Sequence, residues 1–168
     1  MKVNDILMKK WCFGTGRTKV NQREEAVMNH KGELQTYVTY PKYRTIALKV
    51  LEAKRNPKNK TQWLVEANQY ASLNAKPKKV SLVLNEHSSG LLYIAGQKRP
   101  FLKMGDISIT EEGLPPVGSL ITVDKKHAIV TATGRNELTV FVNNKLKTIS
   151  CKPGTIKWHS DKILASLG

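Results

Sequence analysis

The sequence predicts an α+β fold, mostly antiparallel β, on three observations. Short β-branched runs recur through residues 119–158, each ended by Gly, Asn, Lys or Pro. Between residues 61 and 74 the apolar positions follow a helical period. Turn formers are frequent throughout, with 11 Gly and 7 Pro in 168 residues.

Taken in order, residues 3–11 predict a short helix capped by Asn4, with Ile6, Leu7 and Trp11 inward. Residues 33–40 read as extended. Ile46, Leu48 and Val50 alternate within residues 45–53, which favours a strand. Trp63, Ala67, Tyr70 and Ala71 fall at i, i+4, i+7 and i+8, which predicts the main helix over 61–74. Residues 80–85 and 91–95 predict a hairpin around His87-Ser88-Ser89-Gly90.

Five short strands follow, at 119–123, 127–133, 138–142, 145–150 and 155–158. Leu138, Val140 and Val142 share one face, and Asn143-Asn144 can take the positive φ of a tight hairpin. Such a series suits a small SH3-like barrel leaning on the rest of the chain for its core, with an open meander as the alternative. The expected division is a basic α+β region over residues 1–105 and a barrel-like region over 113–160, on separate cores or a shared one.

Charge narrows the class of partner. The chain carries 28 Lys and Arg against 13 Asp and Glu, a net +15. Self-repulsion of that size weakens a folded state unless a polyanion supplies countercharge, and nucleic acid is the commonest polyanion. No apolar run approaches the roughly 18 residues of a membrane span, so a membrane partner is not expected. The start, Met1 to Met8, is too short and polar for a signal segment. With that start, Cys12 and Cys151 are read as reduced thiols of a cytoplasmic protein.

Three basic clusters fall between expected elements and read as exposed loops: Lys54, Arg55, Lys58 and Lys60; Lys76, Lys78 and Lys79; Lys98, Arg99 and Lys103. The first two flank the expected helix, which would hold them about 20 Å apart. In Phe13-Gly14-Thr15-Gly16-Arg17-Thr18-Lys19 the glycines allow backbone N–H groups to converge on an anion beside Arg17 and Lys19. Gly14-Thr15-Gly16-Arg17 resembles a short stretch of a small-subunit ribosomal protein, over too few residues to carry a function across. Tyr37, Tyr40 and Tyr43 could stack on bases, although Pro41 interrupts them and a structural role fits them better.

Enzymatic signatures are sparse. Glu52-Ala53-Lys54 has the Glu-x-Lys form of many metal-dependent nucleases, with Glu33 as the convenient second acid. His30, His87, His127 and His159 are scattered, so neither a metal nor a cofactor is expected. The leading expectation is a non-enzymatic nucleic-acid-binding protein, for DNA before RNA, in the manner of a transcription modulator. A second is a module that docks on an acidic partner such as an RNA polymerase subunit, using 155–158 as an edge strand with Trp158 and His159 as anchors, although burial in the core fits Trp158 better. A metal-dependent nuclease is the third.

Overall fold

The computed structural model describes residues 1–18, 38–109 and 111–167, with the backbone alone at 13–18 and 38–41. Ten strands occur there: β1 Ile6–Thr18, β2 Val38–Asn56, β3 Asn59–Tyr70, β4 Lys78–Glu86, β5 Leu92–Ile94, β6 Leu102–Lys103, β7 Leu120–Val123, β8 Lys126–Gly134, β9 Glu137–Val142 and β10 Lys145–Ser150. One four-residue helix, α1 (Lys162–Ala165), follows them. The fold is therefore nearly all β, which corrects the α+β expectation.

Both expected N-terminal helices are strands, for identifiable reasons. Residues 63, 67 and 71 sit four apart, a spacing that a period of two produces as readily as a period of 3.6. Val65 decides between them: it is buried with Ala67, and Trp63 packs half-buried against the same core, all on one side of β3, as only a strand allows. Near the N-terminus Asn4 turns at φ 70 instead of capping a helix. Ile6, Leu7 and Met8 are all buried, because β1 is covered on both faces and so loses its alternation.

The first sheet has the order β5-β4-β3-β2-β1-β6 and is antiparallel along its described ladders. It curls until its ends meet, where Leu92 and Phe101 exchange backbone hydrogen bonds of 3.2 and 2.6 Å. Leu7, Leu48, Val50, Val65, Ala67, Leu84, Leu92 and Phe101 fill the interior. The second sheet, β10-β9-β8-β7, is a meander over Leu114, Ile121, Ala128, Val130, Leu138, Val140, Val142 and Cys151.

The second sheet does not become the SH3-like barrel: among the described residues no ladder joins β10 to β7. Residues 155–158 form no strand, and pairing comes one residue later, where His159 and Leu120 exchange hydrogen bonds of 2.9 and 3.0 Å. Trp158 is half-buried against the meander core. Asp161 then caps α1 by accepting from the Leu164 N–H at 2.9 Å, and Leu164 is buried. Gly118, at φ +92, leaves Leu164 its place: a Cβ there would lie 2.2 Å from Leu164 Cδ2.

The chain divides into two units, Met1–Lys9 with Ile46–Gly168, and Lys10–Thr45. Both sheets' cores lie in the first. In the second, β1 and β2 continue as strands, and the Tyr43 phenol is pushed up by burial and then by Cys12. No helix among the described residues is long and apolar enough to cross a membrane.

Candidate nucleic-acid interface

The first basic cluster is a β-hairpin, not a loop. Lys54 and Arg55 belong to β2, Lys60 belongs to β3, and Lys58 sits in the turn. Asparagines shape the tip: Asn56 Oδ1 accepts from the Lys58 N–H at 3.0 Å, and Asn59 Oδ1 from the Thr61 N–H at 3.1 Å. The register of β3 with β4 ends at Gln62 opposite Asn85, so the short tip closed by the Asn56–Asn59 pair projects past the wider sheet. Lys54, Lys58 and Lys60 are exposed, and no described carboxylate lies within 4.0 Å of them.

Arg55 behaves differently. It pairs in register with Trp63, which pairs with Leu84, so its side chain shares the core-facing side of the sheet. The guanidinium lies 4.0 Å from the Trp63 ring centroid and 3.2 Å from Glu86. It also donates to the Lys60 carbonyl at 3.0 Å. The Trp63 indole N–H donates to the Glu86 carboxylate as well. That hydrogen bond, followed by Arg55, holds the Glu86 carboxyl below its ordinary value. Arg55, Trp63 and Glu86 thus cap one end of the curled sheet, and Arg55 is largely committed to the fold.

The other clusters do not join the first. Lys76 is in the loop after β3, while Lys78 and Lys79 lie in β4 opposite Gln69 and Asn68. β3 is extended, so these residues stand about 30 Å along it from the hairpin tip, and not the 20 Å of a helix. Lys103 in β6 pairs with Asp5 at 3.6 Å.

Lys98 and Arg99 occupy the β5–β6 loop, and Arg99 meets a cation that the charge clusters did not reveal. This is Lys9, whose Nζ donates to Gln97 Oε1 at 2.6 Å and lies 4.6 Å from the Phe101 centroid. Burial, and then Arg99, pull the Lys9 ammonium below its usual value. Its signal in the sequence was a lysine directly following a buried apolar run.

Residues 13–18, expected as a Gly-rich loop, instead continue β1, and Arg17 lies there where the backbone alone is described; Lys19, Glu33 and Tyr37 fall outside the described residues. Of the Glu-x-Lys pattern, Glu52 and Lys54 line a shallow depression of about 230 Å³ with Leu64, Glu66, Ser81 and Val83. Glu52 stands directly opposite Glu66 in register. Among the described residues no three His, Cys, Asp or Glu gather into a metal-holding group.

Over the described residues, fold and surface together define a nearly all-β protein with lysine-bearing hairpins. No family model matches the chain, and neither a curated protein nor a solved structure matches it.

Proposed function

We propose that the protein binds nucleic acid without transforming it, gripping backbone phosphates with Lys58 and Lys60 at the β2–β3 tip and with Lys54 on β2 just behind it. One observation carries this reading: a net charge of +15 with the tip lysines exposed and no described carboxylate within 4.0 Å. Cations left without internal countercharge turn into salt-dependent affinity when they displace counterions from phosphates. A narrow projecting hairpin tip can also enter the wide major groove of B-DNA, which favours duplex DNA over RNA, whose major groove is deep and narrow. Modulation of transcription on a DNA template is the role such contacts suit. Cys12 and Cys151 are not joined in a disulfide, which fits a cytoplasmic setting.

Binding of the purified chain to labelled duplex DNA, single-stranded DNA and RNA across a salt series tests the reading. The expected result is a linear fall of log K with log salt, by about 0.9 per phosphate contact on duplex DNA. No binding to any of the three at about 50 mM salt overturns it, because phosphate contacts are strong there.

A further inference from the structure

The C-terminal meander carries a second cationic surface, visible only once the strands are in register. Lys126 pairs with Val123, Lys145 with Val142 and Lys147 with Val140. Register partners share a face of a sheet, and so do residues two apart on one strand. Val140 and Val142 are buried in the meander core, and so is Ala128, two residues from Lys126. All three lysines therefore stand on the core-facing side, yet each is exposed. They lie beyond the edge of the apolar contact and rim it.

Two turns bring these lysines to one end. The strands run alternately up and down, so the β7–β8 turn and the β9–β10 turn fall at the same end of the meander. Asp124 and Lys125 form the first turn at φ 48 and 65, and Asn143 and Asn144 the second at φ 53 and 59. Lys125 joins the group through that turn. Lys126 and Lys145 are two strands apart, about 10 Å across the sheet; Lys145 and Lys147 are about 7 Å apart along one strand. No described carboxylate lies within 4.0 Å of any of the four. Between residues 120 and 150 the acids are Asp124 and Glu137 alone, and Glu137 begins β9 at the opposite end.

We propose that this turn-bearing end, with Lys125, Lys126, Lys145 and Lys147, is a second phosphate-contacting surface for nucleic acid. The inference rests on the function proposed above and adds a location to it. The chain then holds one ligand at two places, the β2–β3 tip and the meander. The second contact forms within a complex already made, so a duplex long enough to reach both binds more tightly than a short one. Lysines on an edge strand such as β10 also discourage pairing with other chains, and that role alone predicts no effect on nucleic-acid affinity.

The test compares the K126Q/K145Q/K147Q variant with the unaltered chain on labelled duplex DNA across a salt series. Lys125 is left in place because its positive φ belongs to the turn. The glutamine variant is expected to lose affinity by about tenfold or more near 100 mM salt, with a shallower slope by about 0.9 for each contact removed. Unchanged affinity and slope in that variant overturn the inference and leave the proposed function standing. Failure of the unaltered chain to bind at all overturns both. Loss of binding to polyglutamate with DNA binding intact overturns the inference in favour of an acidic protein partner. A K126E/K145E/K147E variant enlarges the expected effect, and circular dichroism of both variants separates lost contacts from lost folding.

Discussion

Arg55 lies over the face of Trp63, its guanidinium carbon 4.0 Å from the ring centroid. Glu86 joins the pair by accepting from the indole N–H and ion-pairing with the guanidinium at 3.2 Å. An arginine in a basic cluster is therefore part of the fold's own closure. Substituting R55A is expected to lower stability by about 1 kcal/mol, since a 44% exposed side chain keeps little of its ion-pair energy. Its effect on DNA affinity should be smaller than that of K58Q. Urea denaturation and the binding assay, run on both variants, check the contrast.

Glu86 gives this cap a pH dependence whose sign is fixed. Its folded value is lowered, first by the Trp63 hydrogen bond and then by Arg55. Its stabilisation is thus complete above the unfolded carboxyl value and is lost as pH falls through the folded one. The melting temperature should decline on acidification below about pH 4.5. The E86Q variant should show a flatter decline over that range, and W63F an intermediate one, because the largest cause of the shift is gone. A melting series from pH 6 to about 3 reads all three.

Gly118 and Leu164 are predicted to be coupled. G118A sets a Cβ 2.2 Å from Leu164 Cδ2 at a φ of +92, and should cost about 2 kcal/mol or more. L164A empties a buried site and should cost about 2–4 kcal/mol. In the double variant the added methyl meets the vacated space, so the total should fall below the sum. Denaturation of the four proteins measures that coupling directly.

The Asn143-Asn144 turn offers a change in the opposite direction. Both residues have positive φ, 53 and 59, as a two-residue hairpin of this hand requires. Glycine adopts that conformation without a Cβ penalty. N144G should therefore raise stability by about 0.5 kcal/mol, read as a higher denaturation midpoint at unchanged slope.

The strands of the second half were legible because their signals were local. Residues 120–123, 126–134, 137–142 and 145–150 are short, β-branched and separated by Asn, Lys and Gly turns. The first half was harder because burial on both faces removed the alternation from Ile6, Leu7 and Met8. In β3 the spacing of Trp63 and Ala67 satisfied helix and strand alike. Lys54, Lys58 and Lys60 stood out as a run of charge, and they do share one hairpin. Lys126, Lys145 and Lys147 did not stand out, since only strand register shows that they share a face. Arg55 was legible as a charge but not as a partner of Glu86, which is 31 residues away.

The curled first sheet also constrains how the chain is made. β6 pairs with β1, aligning Leu7 with Lys103 and Met8 with Leu102, whereas β3, β4 and β5 join near neighbours in sequence. During synthesis β1 emerges first and lacks its β6 partner until almost a hundred further residues have been made. Pairings so distant in sequence form late, after the local hairpins. A ribosome that pauses before Lys103 would hold a nascent chain with β1 open along one side, the stage at which chaperone capture would matter most.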